Sequence, residues 1–177
     1  MRYAMAIDLK TCMGCASCVV ACKVENRVDE QFSRCRVTER LQGDFPNLTL
    51  NIYSERCNQC SEAPCVTNCP TGASHYSHGG IVLVNESLCT GCKACIAACP
   101  YNARFINERG VAEKCTFCVD RLRQGQEPAC VSTCPSRAMI FGDMDNPSSE
   151  IVRTVASRAH HALIAEAGTK PNVFYLE

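Results

Sequence analysis

Sixteen of the 17 cysteines in this chain of 177 residues fall into four groups of four, and that spacing limits the fold more than any other feature. The groups are Cys12-Cys15-Cys18-Cys22, Cys57-Cys60-Cys65-Cys69, Cys89-Cys92-Cys95-Cys99 and Cys115-Cys118-Cys130-Cys134, with Cys35 left over. The first and third read C-x2-C-x2-C-x3-C, and the second, third and fourth end in Cys-Pro. Runs of this kind hold iron–sulfur cubanes through four thiolates each. The sixteen cysteines therefore predict four 4Fe-4S clusters, whose chemistry is one-electron transfer.

Two other uses of so much cysteine compete with this one. A disulfide scaffold suits a short, cysteine-rich secreted chain. Here the number is odd, the cysteines lie too close together for ordinary bridges, and Met1-Arg2-Tyr3-Ala4-Met5-Ala6 opens no apolar signal region. A zinc-binding interaction module is the second rival, but zinc ribbons use two separated C-x2-C pairs. Three cysteines at three-residue spacing followed by Cys-Pro are not that pattern. No Ser/His/Asp set, phosphate loop or GxGxxG run suggests that the chain is catalytic alone.

Charge and hydropathy narrow the partners. The 18 basic residues balance 18 acidic ones, so no nucleic acid is expected. Each oxidised cluster with its thiolates adds roughly two negative charges, which makes the loaded protein acidic. No segment reaches the roughly 18 apolar residues of a membrane span, so any link to a membrane is expected to run through a partner. Trp is absent and aromatics are 6% of the chain, a thin supply for a core. The clusters are then expected to supply much of the folding free energy, leaving the apo chain largely disordered.

An internal repeat organises the chain. Asp8–Cys22 aligns with Asn85–Cys99 cysteine for cysteine, and Gly14 falls where Gly91 does, in a loop that must wrap a cluster. Glu62–Ala73 resembles Glu127–Ala138 in the same way. Short strands are predicted over Tyr3–Asp8, Ile81–Asn85 and Leu48–Tyr53; in the last, Leu48, Leu50 and Ile52 alternate with polar residues. In two-cluster ferredoxins the fourth cysteine of each run serves the other run's cluster. Three cysteines then surround one face of a cube, and the fourth opens a short helix toward the neighbour. Two ferredoxin-like halves follow. Sequence order permits adjacent pairing of the quartets (first with second, third with fourth) or nested pairing (second with third, first with fourth).

The four-quartet layout, the C-x2-C-x4-C-x3-C-P second run and the long-spaced Cys115–Cys134 run resemble the iron–sulfur electron-transfer subunits of molybdopterin oxidoreductases. That family includes the small subunits of polysulfide, thiosulfate and dimethyl sulfoxide reductases. Ala63-Pro64-Cys65-Val66, Cys69-Pro70-Thr71-Gly72-Ala73, Ala98-Cys99-Pro100-Tyr101 and Lys114-Cys115-x2-Cys118 carry the likeness, which covers roughly residues 3 to 142. The resemblance implies nested pairing. One cluster takes Cys12, Cys15, Cys18 and Cys134, and a second takes Cys22, Cys115, Cys118 and Cys130. A third takes Cys57, Cys60, Cys65 and Cys99, and the fourth takes Cys69, Cys89, Cys92 and Cys95. Some relatives carry Trp in place of Cys92 and hold a three-iron cluster there, so Cys92 implies four complete cubanes.

The implied fold is α+β: two bacterial-ferredoxin-like (βαβ-type) modules in pseudo-twofold arrangement, with short strands, short helices and long loops, plus a C-terminal helix. Residues 1–35 with 110–145 form one half, 50–109 form the other, and 146–177 supply the helix and an extended tail of a single compact unit. The implied partners are a molybdopterin-containing catalytic subunit, facing the Cys12 cluster, and an integral, quinol-reactive membrane anchor, facing the Cys92 cluster. Polysulfide- or thiosulfate-type compounds are the implied substrates of the complex, with dimethyl sulfoxide, sulfite and arsenate systems as alternatives. The implied location is peripheral to the cytoplasmic membrane on its periplasmic side, reached by co-export with a twin-arginine partner, the alternative being cytoplasmic. A free-standing soluble polyferredoxin is the rival function.

Other residues invite local readings. Lys23, Lys93 and Lys114 each adjoin a ligand; a cation there raises a cluster's potential, unless it is simply a solvated loop lysine. Cys35 reads as a buried structural thiol. Tyr101 is expected to pack over a cluster. His75 and His78 lie in a polar turn and read as surface loop rather than as contacts to a quinol site. Eleven residues, Val119–Ala129, separate Cys118 from Cys130. With Arg121, Arg123 and Gln124, that insertion reads as a docking element for the catalytic subunit or as an exposed loop. A helix is predicted from Ser148 to near Gly168, capped by Ser148 or Ser149, with Ile151, Val155, Ala159 and Leu163 on one stripe. His160 and His161 then sit on its surface, and Pro171–Leu176 runs extended.

Overall fold

The computed structural model describes all 177 residues and is a mixed α+β architecture of short elements joined by long loops. In chain order, β1 (Tyr3–Asp8) leads through the first cysteine loop into α1 (Ser17–Asn26). A hairpin follows, β2 (Cys35–Gln42) against β3 (Thr49–Arg56), with Cys35 opposite Arg56. Next come α2 (Pro64–Thr67), the pair β4 (Ser74–Tyr76) and β5 (Val82–Val84), α3 (Ala94–Ala97), and the small pair β6 (Phe105–Ile106) and β7 (Ala112–Glu113). The remaining elements are α4 (Val119–Arg123), α5 (Ala129–Ser132), β8 (Met139–Asp143), α6 (Glu150–Ser157), β9 (His160–His161) and β10 (Val173–Leu176). No helix is long and apolar enough to cross a membrane.

Strand β1 is buried because its side chains alternate between two cores. Met5 and Ile7 join the larger one, which is rich in cysteine, while Ala4 and Ala6 meet Ile151 and Leu176. It lies second in a four-stranded sheet of order β8-β1-β10-β9. The β8 partner is antiparallel, with Tyr3 opposite Asp143; the β10 partner is parallel, with Met5 opposite Val173. Helix α6 covers β8 and β1 at close range. A Cβ on Gly142 would lie 2.5 Å from Ser149 Oγ and 3.1 Å from Ile151 Cγ2, so a larger residue would force Ser149 to rotate and Ile151 to shift.

The C-terminal segment departs from the sequence expectation. The helix stops at Ser157, and Ser149 stands at its N-cap without a side-chain capping bond. Arg158 is already extended; it donates to Asp8 Oδ2 at 2.5 Å and to the Glu177 carbonyl at 3.2 Å. His160 and His161 therefore belong to β9 rather than to a helix surface, and Leu163 is buried in the larger core. The first half of the expected helix and the extended tail do run as expected, the tail supplying β10 from Val173 to Leu176. A short helix gains little from propensity alone, so the sheet ladder and the core outcompete its continuation.

Other boundaries shift less. Strand β3 extends the expected Leu48–Tyr53 segment to Arg56, and β5 keeps only Val82–Val84 of Ile81–Asn85. His75 lies in β4 opposite Leu83, not in a turn, and His78 opens a single 3₁₀ turn, His78–Gly80. Gly79 in that turn is buried under the Tyr3 ring. The 119–129 insertion begins as helix α4, and Arg121 ties it to Glu25 of α1 at 3.0 Å.

Candidate metal centres

The C-x3-C spacing spans about one helical turn, and the fold uses it as a bridge. Cys18 and Cys22 both lie in α1. Cys65, Cys95 and Cys130 lie in α2, α3 and α5, with Cys69, Cys99 and Cys134 just beyond each helix. The helix thus leads from the third ligand to the fourth; it is not opened by the fourth, as the spacing suggests. Helix α1 packs on α5 and α2 packs on α3, which brings distant runs together.

The thiols gather into groups, and neighbouring groups lie close: Cys115 sits in the field of both Cys130 and Cys57. Cys12 lies in the field of Cys18, Cys134 and Cys15. Cys60 lies in that of Cys57, Cys65 and Cys99. Cys22, Cys115, Cys118 and Cys130 line one small cavity, together with Cys35. Cys69, Cys89, Cys92 and Cys95 line another. Each group draws its thiols from two different cysteine runs, three from one and one from the other, which is the donor set a 4Fe-4S cube takes.

The loops are shaped for this purpose. The residue before the second cysteine is left-handed in all four runs: Gly14 (φ 69°), Gln59 (47°), Gly91 (67°) and Phe117 (52°). Two of these bear side chains and are held by burial; Gln59 donates to the Cys115 carbonyl at 2.7 Å, and Phe117 packs on Phe141. Backbone N–H groups point toward sulfur, one from within such a loop and two from strands beside the sites. Ser74 N–H points at Cys69 Sγ (3.3 Å), Ala112 N–H at Cys89 Sγ (3.4 Å) and Phe117 N–H at Cys115 Sγ (3.5 Å). Hydroxyls two residues on reinforce the pattern: Ser17 beside Cys15 at 3.4 Å, Thr71 beside Cys69 and Ser136 beside Cys134, both at 3.7 Å.

Exposure grades across the four groups. Cys15 and Cys92 are exposed, each in a group whose other members are buried or half-buried. Cys22, Cys115, Cys118 and Cys130 are all buried, as are Cys57, Cys60 and Cys65. Burial pushes the Cys115 thiol up to about 12 and that of Cys60 to about 11. At the surface, the hydrogen bond to Ser17 holds Cys15 below the ordinary thiol value. Buried thiols of this kind ionise when a metal supplies the opposing charge.

The remaining candidates fall into place individually. Cys35 is 4% exposed and contacts Cys18 and Cys22, so it lies between two groups. Tyr101 is buried near Cys60 and Cys99 and bonds Thr169 at 2.5 Å. Lys93 is exposed, and Lys23 is half-buried, donating to the Glu30 carbonyl at 2.5 Å. Lys114 is 2% exposed, which overturns the reading of a loop-surface lysine at that position. Two further buried cations, Arg56 and Arg104, escape the sequence reading. Arg56 donates to Cys130 Sγ at 3.0 Å and Arg104 to Cys65 Sγ at 2.9 Å. Aligning Glu55-Arg56-Cys57 with Glu113-Lys114-Cys115 would have found the first. Nothing local marks the second.

Known proteins are similar to this sequence. Residues 48–144 match the family described as 4Fe-4S dicluster domain, and residues 9–25 match the 4Fe-4S binding domain. The protein is 44% identical over 177 residues to a polysulfide reductase component of Wolinella succinogenes, covering 98% of this sequence and 93% of that one. It is 48% identical over 161 residues to the thiosulfate reductase electron transfer subunit PhsB of Salmonella typhi, covering 89% and 83%. A tetrathionate reductase component of Salmonella typhimurium is 44% identical over 180 residues, covering 99% and 72%.

Proposed function

The chain belongs to the 4Fe-4S dicluster family, among the iron–sulfur electron-transfer subunits of molybdopterin oxidoreductases, and on that premise we propose that it relays single electrons through four 4Fe-4S clusters between a quinol-reactive membrane anchor and a molybdopterin catalytic subunit. When bound, each cluster supplies a site that accepts and returns one electron. The cysteines hold these sites in the nested sets: Cys12, Cys15, Cys18 and Cys134; Cys22, Cys115, Cys118 and Cys130; Cys57, Cys60, Cys65 and Cys99; Cys69, Cys89, Cys92 and Cys95. The modules are the two ferredoxin-like halves, 1–35 with 110–145 and 50–109. The packing of α1 on α5 and of α2 on α3 supports that division.

The observation that carries the reading is the gradient of exposure. An electron must enter and leave near the surface and be shielded between. The Cys15 and Cys92 sets each have one exposed member, whereas the Cys115 set is wholly buried and the Cys57 set is buried but for the half-buried Cys99. The Cys15 end meets the catalytic subunit, as the family resemblance implies. There Ile52 of β3 packs on Gly14, and the same hairpin leaves Phe45, Leu48 and Leu50 exposed for a partner. The Cys92 end meets the anchor. Reductases of polysulfide and thiosulfate are among the relatives, which supports a sulfur compound of that type as the substrate of the catalytic subunit. The family resemblance alone implies the periplasmic side of the membrane.

Purification of the intact complex tests this. Iron, sulfide and low-temperature EPR intensity are expected to count four clusters, and a large molybdopterin-containing subunit is expected to co-purify. A brown monomer without that subunit would instead make it a polyferredoxin, and zinc in place of iron would end both readings.

A further inference from the structure

Three cations are buried in this fold without any carboxylate to balance them. Arg56, Arg104 and Lys114 are 3%, 5% and 2% exposed. Every hydrogen bond they make ends on sulfur, hydroxyl or carbonyl oxygen. Arg56 Nε has no partner at all. A buried charge left unpaired is strongly disfavoured, so something within reach must carry the opposite sign.

Their placement follows the cysteine groups. Arg56 gives one Nη to Cys130 Sγ and the other to Ser54 Oγ, and Ser54 Oγ lies 3.4 Å from Cys18 Sγ. It therefore spans the Cys130 and Cys18 groups, and it lines the cavity of the former. Arg104 repeats the arrangement in the other half. One Nη reaches Cys65 Sγ at 2.9 Å, and the other reaches Ser74 Oγ at 2.7 Å, with the Ser74 N–H directed at Cys69 Sγ. It spans the Cys65 and Cys69 groups. Lys114 bonds the carbonyls of Val82 and Cys115; burial and the nearby Arg104 disfavour its charge, and the thiolates of Cys57, Cys115 and Cys65 favour it. It spans the two inner groups.

We propose that Arg56, Lys114 and Arg104 form a row of fixed positive charges, one in each gap of the four-cluster path, and that each raises the reduction potential of the two clusters beside it. The inference rests on the nested ligand sets proposed above. A cation close to a cluster favours its reduced, more negative form, and it also weakens the repulsion between electrons on neighbouring clusters. The effect of each cation is therefore paired and local, unlike that of net charge.

The test is EPR-monitored redox titration of the purified complex carrying Arg56→Gln, Arg104→Gln or Lys114→Met, with Arg56→Lys and Arg104→Lys as charge-keeping controls. For Arg56→Gln, the clusters of the Cys12 and Cys22 sets are expected to become at least tenfold harder to reduce at a given potential, a fall of about 59 mV for one electron. The other two are expected to hold. Arg104→Gln should shift the complementary pair, Lys114→Met the two inner clusters, and the Lys controls should return most of each shift. Unchanged potentials in loaded Gln variants overturn the proposal, as do equal shifts in the Gln and Lys variants or a uniform shift of all four clusters. Should a Gln variant fail to assemble a cluster, the Lys variant decides: loading with Lys supports a charge role, and equal loss overturns it. Cluster counting on the wild-type complex separates the readings, because a count below four fails the proposed function, while the paired shifts are judged on whatever clusters remain.

Discussion

At Gly91 a single hydrogen atom decides whether the third cysteine loop can close. Its φ is 67°, and a Cβ there would sit 2.5 Å from the Gly110 carbonyl oxygen. Gly91→Ala is expected to destabilise the loaded protein by about 1–3 kcal/mol from backbone strain, before the clash is added. A lower denaturation midpoint, with iron lost first from the Cys89, Cys92 and Cys95 site, is the outcome to look for. Gln59 and Phe117 occupy the same loop position as residues with side chains, and they tolerate the left-handed backbone because each is buried and held. The glycine was legible in the repeat; the shared backbone conformation was not, because no sequence pattern joins Gln59 to Phe117.

Among the elements, α6 and β1 depend on one another. Ile151 is fully buried against Ala4, Ala6 and Leu176, and Ile151→Ala is expected to lower stability by about 2–5 kcal/mol while all cysteine sites stay loaded. Equilibrium unfolding with iron analysis checks both parts. Beyond the helix, Arg158 donates to Asp8, and that hydrogen bond holds the Asp8 carboxyl below its ordinary value despite partial burial. The stabilisation is fully present above the ordinary carboxylate value of about 4 and is lost as pH falls through the depressed folded-state value. The Tm gap between wild type and Arg158→Gln should therefore be constant near neutrality and close on acidification. A gap that widened in acid would contradict the assignment. Strand β1 was readable because its apolar run is local, and the cysteine runs because ligand spacing is local. The false helix beyond Ser157 came from an apolar stripe that Leu163 satisfies in the larger core instead. The Arg56–Cys130 and Arg104–Cys65 contacts join residues 74 and 39 positions apart, beyond the reach of any spacing rule.

Taken whole, the molecule has little to fold around except its cofactors. Seven of the twenty residues in the larger core are cysteines, and the second apolar cluster contains four residues. Stripping iron with a chelator under reducing conditions is expected to abolish most far-UV circular dichroism and to make the buried thiols reactive together. A native-like spectrum in the stripped protein would show instead that packing alone suffices. The row of buried cations points the same way, since without negative clusters beside them Arg56 and Lys114 would oppose folding.

The sheet imposes an order in time. Strand β1 pairs with residues 139–143 and 173–176, and nothing nearer in the chain offers its edges a partner. During synthesis, then, Met5 and Ile7 wait uncovered until the ribosome has made nearly everything else. In the proposed nested sets, both groups of the 50–109 half have all their cysteines once residue 99 has emerged, whereas the Cys12 group waits for Cys134. Cofactor delivery is thus expected to begin in the 50–109 half and to finish at the Cys12 group, the last of the four to be enclosed.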